Sequence, residues 1–229
     1  MSTTTGKLIV IDGGDGAGKA TQTELLVKRL VGDGHQVKTM DFPRYTQNTF
    51  GKLLRRCLDG HHGDFIGVDA RIASTLYAVD RYESKRHIRD WLDAGKVVVL
   101  DRYVSSNMMH QGAKMRDEAE LEEFLEWLDH VEHEVFSIPR PHKIIYLDVP
   151  HHVRRILKAR AVEEGKHGAS LDQAEQDEAH QIAAETQARN IVSRLNDWEA
   201  VSCCEGIDLR PIESIHEDIY RVVSRVLAA

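Results

Sequence analysis

Lys7 to Leu30 reads KLIVIDGGDGAGKATQTELLVKRL, and the reading of this stretch decides the fold. Leu8 to Ile11 is an apolar run of the length expected for a buried parallel strand. The turn Gly13-Gly14-Asp15-Gly16-Ala17-Gly18 follows, and then Lys19. From Thr21 to Leu30 the spacing of Leu25, Leu26 and Leu30 predicts a helix with those leucines inward. A strand, a glycine turn and a helix N-terminus in that order make an anion site. Free backbone N–H groups and the positive end of the helix dipole converge there, and glycines let the backbone approach a phosphate. Lys19 adds a flexible charge that can reach β- and γ-phosphates. The match to G-x-x-x-x-G-K-[ST] holds from Gly13 to Lys19 and fails at Ala20, where a hydroxyl would bind Mg2+. Thr21 is no simple replacement, because one helical step turns it by about 100°. A glycine turn that only joins two elements is the plainer alternative, but the flanking strand and helix are the context a nucleotide phosphate site requires.

Outside this stretch the composition sets bounds. The 229 residues suit one α/β domain, or one domain with a short lid. A net charge of −7 argues against nucleic-acid binding, which needs a basic surface, so cations are expected to be concentrated at a phosphate pocket. Cys57, Cys203 and Cys204 have neither metal-ligand spacing nor a disulfide framework, which suggests a reducing cytoplasm. Met1 to Lys7 lacks the apolar centre of a signal peptide, and no run is long enough to span a membrane. The histidine pairs His61-His62 and His151-His152, and His130 with His133, read more simply as solvated surface groups than as metal ligands.

Along the chain, Gln36 to Met40 is a second candidate strand, and Pro43 then directs Asp41-Phe42-Pro43-Arg44-Tyr45 out of the sheet. That places Arg44 near the carboxyl ends of the strands, where open α/β sheets bind ligands. Helices are expected from Thr49 to Leu58 and from about Val68 to Ala94, the second with Ile72, Leu76, Val79 and Ile88 among its apolar positions. On that helix Tyr77 and Arg81 share a face, a ring and a guanidinium suited to a base, or else a core tyrosine beside a surface arginine. Lys96 to Leu100 (KVVVL) is the clearest buried strand, and it ends in Asp101-Arg102. A carboxylate there would hold a metal or its water, and Arg102 could clamp a phosphate. The polar stretch Ser105 to Gly112 carries amides able to read a base edge. Asp117 to Glu134 reads as an acidic amphipathic helix and Lys143 to Asp148 as a strand. Pro150 opens a helix with Arg154, Arg155, Lys158 and Arg160, of which Arg160 is the candidate to approach the phosphates. Residues about 160–172, centred on EEGKHGAS, have the composition of a lid. From Leu171 helix is expected to about Ala200, then a short fifth strand at Gly206 to Leu209 and a closing helix from Ser214 to Leu227. The alternation predicts a P-loop three-layer α/β sandwich, a five-stranded parallel sheet with helices on both faces.

Taken together, GGDGAGKATQ, DFPRY, LYAVDR and LDRYVSSNMMHQGAK closely resemble the thymidylate kinases of bacteria and archaea, strongly over Lys7 to Lys114 and as architecture from Lys143 onward. The resemblance implies phosphoryl transfer from ATP–Mg2+ to dTMP, giving dTDP, by a protein that is usually a homodimer. It implies that Gly13, Gly14, Asp15, Gly16, Ala17, Gly18, Lys19, Ala20 and Thr21 surround the phosphates of ATP. Asp15 would face the reacting phosphates, with Asp15 and Asp101 as metal candidates. Arg44 and Arg102 would grip the acceptor phosphate, and Tyr77 would stack on thymine with Arg81 at the base edge. Asn107 and Gln111 match positions that touch base or sugar, and Phe42, Tyr45 and Ser106 belong to the matched acceptor-site motifs. The chain departs from the family pattern at Ala20, at Gly16 where one branch has a loop arginine, and at Asn190 where a tyrosine is usual. The departure at Gly16 shifts the stabilising charge toward lid cations such as Arg160. Such chemistry needs in-line placement and neutralised charge more than covalent help from the protein. Rival readings are a kinase for another (deoxy)nucleoside monophosphate or a nucleoside, a nucleotide-dependent switch, or an enzyme disabled at Ala20.

Overall fold

The computed structural model describes residues 5–163, 173–206 and 208–229; side chains 158–163 and 175–176 lie outside the description. Five strands, β1 (Lys7–Gly13), β2 (Val37–Asp41), β3 (Val97–Asp101), β4 (Lys143–Asp148) and β5 (Trp198–Ser202), form one parallel sheet in the order β2-β3-β1-β4-β5. The helices are α1 (Lys19–Gly32), α2 (Thr49–Leu58), α3 (Ala70–Asp93), α4 (Val104–His110), α5 (Glu118–Asp129), α6 (His151–Glu163), α7 (Gln173–Gln176), α8 (Glu178–Arg194) and α9 (Ile212–Ala228).

Because side chains alternate across a strand, the apolar runs serve two cores. Leu8, Val10, Val98, Leu100, Ile144 and Tyr146 face one layer, against Ile88 of α3, Met109 of α4, Phe124 and Leu128 of α5 and Ile191 of α8. Ile9, Ile11, Val97, Val99, Ile145 and Leu147 face the other, against Leu26 and Leu30 of α1 and Ile215, Ile219, Val222 and Val223 of α9. Register aligns the carboxyl ends: Ile11 lies opposite Asp101, Asp41 opposite Asp101, and Gly13 opposite Leu147. Whatever follows β1, β2 and β3 therefore emerges along one edge.

Several expectations are corrected. The fifth strand is Trp198–Ser202, not Gly206 to Leu209. The latter region instead holds β7 (Asp208–Leu209), which pairs antiparallel with β6 (Cys204–Glu205) just before it. Helix α8 stops at Arg194, with Leu195 already extended (φ −107°, ψ 124°), so helix does not reach Ala200. An edge strand paired only with β4 needs no continuous apolar run, and in β5 only Trp198 and Val201 are buried. Ile72 is 66% exposed, not a core residue of α3. After Asp129 the chain passes out of α5 into a π-helical turn, His130–Val135, where a continuous helix was expected. Among the described residues no helix is long and apolar enough to cross a membrane.

Candidate active site

At the end of β1 the backbone must leave the sheet and start a helix within a few residues. Gly18 does this at φ 85°, a left-handed conformation in which a side chain is strained. Lys19 is buried at the start of α1, and its Nζ donates to the carbonyls of Gly13 (3.0 Å) and Gly14 (2.9 Å), curling back over the turn. Burial first, and then the charge of Arg102, lower the Lys19 pKa to about 8 against the opposing pull of Asp15, Asp101 and Asp12.

Arg102 follows β3 with φ 64°, rare for a residue with a side chain and characteristic of strained functional positions. Its amide donates to Ile11 O (2.9 Å), and its guanidinium bonds Asp15 Oδ1 and lies 3.9 Å from Asp12 Oδ1. Burial disfavours the Arg102 charge, but Asp15, Asp12 and Asp101 more than restore it. Asp101 itself is pushed up by burial, with Lys19 and Arg102 opposing. Asp12, fully buried, accepts from Ser105 Oγ (2.5 Å) and Ser106 Oγ (2.8 Å) and so ties the start of α4 to the end of β1. On the far side of the turn stands Arg154 of α6, 3% exposed, which donates to Val149 O, Asp15 O, Gln181 Oε1 and Glu185 Oε2. A Cβ at Gly14 would lie 2.3 Å from the Arg154 guanidinium carbon, so glycine is what lets that arginine approach the loop.

Beside this charged cluster opens a cleft of about 720 Å3, mouth included. Asp15 and Arg102 stand at its charged end. Phe42, Tyr45, Tyr77 and Tyr103 line it further in, with Phe42 and Tyr103 rings 5.8 Å apart and Phe65 and Tyr77 rings 6.0 Å apart. Asn107 and Gln111, successive turns of one helical face, bring two buried amides to the wall. Asn107 Nδ2 and Gln111 Oε1 are both buried without a hydrogen-bond partner among the described residues. Two histidines complete the wall, His110 Nδ1 lying 3.3 Å from His180 Nε2 with the rings stacked at 27°. Burial, then the charge of Arg102, lowers the His110 pKa to about 3.

The sequence model of a family described as thymidylate kinase matches residues 11–219. The chain belongs to that family. A human thymidylate kinase is 29% identical over 98% of this chain and 92% of its own length. One from Mycobacterium tuberculosis is 34% identical over 58% of this chain, and the match spans 62% of that relative's length. A probable thymidylate kinase from Thermococcus onnurineus is 38% identical over 62% of this chain and 66% of its own length. The solved thymidylate kinase of Candida albicans superposes with a TM-score of 0.70 over 96% of this chain and 92% of its own, at 21% identity, a likeness of fold.

Within this thymidylate kinase fold, the residues singled out from sequence do not all meet at the cleft. Asp15, Phe42, Tyr45, Tyr77, Arg81, Arg102, Ser106, Asn107 and Gln111 all line the cleft. Ser106 spends its hydroxyl on Asp12, and Arg81 is buried with its guanidinium bonded to Glu132 and Asn107. Arg44 stands off the cleft wall: its amide donates to Asp80 Oδ2 (3.0 Å) and its Nη1 lies 4.0 Å from Asp41 Oδ1. Ala20 and Thr21 are exposed at the helix start, and Asn190 is exposed on α8. The Arg160 side chain and residues 164–172 of the expected lid lie outside the described residues. Sequence reasoning did not single out Asp12, Arg154, Gln181, Glu132, His110 or His180. Asp12 continues an apolar strand, and the others come from distant segments whose meeting no local spacing records.

Proposed function

We propose that the protein transfers the γ-phosphoryl group of ATP to dTMP, giving dTDP and ADP, as one domain whose lid is residues about 160–172. The observation that carries this reading is a single groove with two unlike ends. Asp15 and Arg102 line it beside the glycine turn that carries Lys19, and aromatic rings line it together with two buried amides that each keep an atom without a partner among the described residues. The charged end suits two phosphate groups approaching each other, and the other end suits a flat base with polar edges.

In this reading the turn Gly13 to Thr21 binds the ATP phosphates, and Lys19 exchanges its two backbone carbonyls for phosphate oxygens. Arg102 gives up part of its contact with Asp15 to hold the acceptor phosphate, with Arg44 arriving from the mouth. The acceptor is already an oxyanion near neutral pH, so no general base is needed. Catalysis rests on in-line placement and on cations at the equatorial oxygens. Asp101 is a buried carboxylate disfavoured as an anion by its surroundings, which suits a site that gains a cation. Asp101 and Asp15 would hold Mg2+, directly or through water, since Ala20 has no hydroxyl. The ion would neutralise charge on the transferring phosphates. Arg160 remains the lid candidate, and the family resemblance supports a cytoplasmic homodimer.

The test is ADP release from ATP–Mg2+ with dTMP, dUMP, dCMP, dGMP or AMP added in turn. Strong stimulation by dTMP, weaker by dUMP, is expected. Stimulation by none of them would overturn the reading in favour of a nucleotide switch.

A further inference from the structure

Gly16 and Gly18 sit at φ 83° and 85°, whereas Gly14 lies outside the left-handed region, so its backbone does not call for glycine. What forbids a side chain there is Arg154, whose Cζ and Nη1 would both lie 2.3 Å from an added Cβ. This arginine, almost wholly buried, comes from α6 and is committed on every edge. Nε donates to Val149 O (3.0 Å) and Nη2 to Glu185 Oε2 (3.1 Å). Nη1 donates to both Gln181 Oε1 (3.1 Å) and Asp15 O (3.4 Å). Glu185 has a second cation in Arg189, whose Nη1 lies 3.0 Å from Oε1.

Gln181, itself buried on α8, passes the constraint on. A guanidinium has only donors, so the amide oxygen must face Arg154. The amide nitrogen then donates to Ala174 O (2.9 Å) and to Asp15 Oδ2 (3.1 Å). Asp15 is therefore gripped at its carbonyl and at Oδ2 from the side of α6 and α8, while Arg102 bonds Oδ1 from the end of β3. A buried ion pair such as Arg154–Glu185 is weak ground for stability, since an apolar pair of the same volume does as well. Its effect here is directional. We propose that Arg154 is a positioning residue for Asp15: directly at the carbonyl, and through Gln181 at Oδ2, it holds the carboxylate with Oδ1 toward Arg102 and the cleft. When Arg102 turns to an acceptor phosphate, this second grip keeps Asp15 in place. That kinetic consequence rests on the cleft being the acceptor site of the reaction proposed above.

The experiment follows the Asp15 carboxyl by 13C NMR in the free full-length protein, and kcat with ATP–Mg2+ and dTMP, in R154M and R154K. Hydrogen bonds donated to a carboxylate favour its charged form, so a loosened Gln181 should raise the Asp15 pKa by about half a unit or more. Loss of a nearby charge would do the same in R154M. R154K separates the two, because it keeps the charge but has no planar fork to span Glu185, Gln181 and Asp15 O. The rise is expected in both variants. In R154M kcat falls about tenfold and KM for ATP rises. In a D15A background the same substitution lowers kcat by less than about twofold, because Arg154 works through the carboxylate. Should R154M not fold, R154K decides by the same two readouts. An Asp15 pKa unchanged in R154K, or a loss of kcat as large in the D15A background as without it, overturns the proposal. If the unmodified protein is stimulated by no monophosphate, the functional reading has failed, while the NMR titration still decides whether Arg154 holds Asp15.

Discussion

The two ends of the cleft handle polarity in opposite ways. At the charged end the groups are paired within the protein: Arg102 with Asp15 and Asp12, Arg154 with Glu185, and Lys19 with backbone carbonyls. At the aromatic end the buried amides of Asn107 and Gln111 each keep an atom without a partner among the described residues, while Asn107 Oδ1 accepts from Arg81. A charge cannot stay buried alone at tolerable cost, whereas a neutral amide can, at roughly 1–3 kcal/mol. Strong charges are thus kept available by exchangeable partners, and weak directional groups by a rigid frame. The contrast predicts that damage at the phosphate end lowers turnover for every acceptor, and damage at the base end changes which acceptor is used.

The largest expected effect is at the phosphate end. Lys19→Ala, or Arg102→Ala, should reduce turnover about a hundredfold or more, roughly 3 kcal/mol of transition-state stabilisation, for all monophosphates alike. Steady-state rates with dTMP and dUMP check this, and near-normal turnover in Lys19→Ala would falsify the assignment. Next is Gly14→Ala, whose Cβ collides with the Arg154 guanidinium. Displacing that side chain costs about 1–3 kcal/mol, so KM for ATP should rise roughly tenfold while the dTMP-to-dCMP ratio holds. A smaller loss follows from Gln181→Ala, which removes the 3.1 Å bond to Asp15 Oδ2 and an acceptor of Arg154. A few-fold fall in kcat, about 1 kcal/mol, is expected without loss of base preference.

Two pH effects sharpen the contrast further. With the Lys19 pKa near 8 in the free protein, its charge is present below that value and lost above it. ATP affinity, measured by equilibrium titration, should therefore weaken as pH rises through about 8. For His110 the sign is opposite in origin. Its folded pKa of about 3 lies below the unfolded 6.5, so the unfolded chain binds more protons between those values. Stability then rises with pH across that window and is lost as pH falls through it. Denaturant unfolding between about pH 5 and 7 should show a shallower slope in His110→Phe, and an equal slope would remove His110 as the cause.

Local chemistry made half of this legible. The apolar runs of β1, β3 and β4, the glycine turn and Lys19 are contiguous in the chain, so period and composition reveal them directly. Asp101-Arg102 could be read because a buried strand must end where its polar residues begin. Asn107 and Gln111 share a face simply by being four apart. Strand β5 escaped notice because an edge strand with only Trp198 and Val201 buried carries too little pattern to outweigh the helical residues before it.

The sequence by itself determined the parallel α/β sheet and the glycine turn with Lys19 at the start of a helix, because each follows from neighbours within a few residues. Only the tertiary structure decided that Arg154 presses on Gly14, that Gln181 reaches Asp15 from 166 positions away, and that Glu132 holds Arg81 across 51. Those contacts depend on how the layers stack on the sheet and on a π-helical turn that no hydrophobic period announces. Burial then converts them from solvated charges into fixed partners, since a group removed from water must find its hydrogen bonds inside the protein.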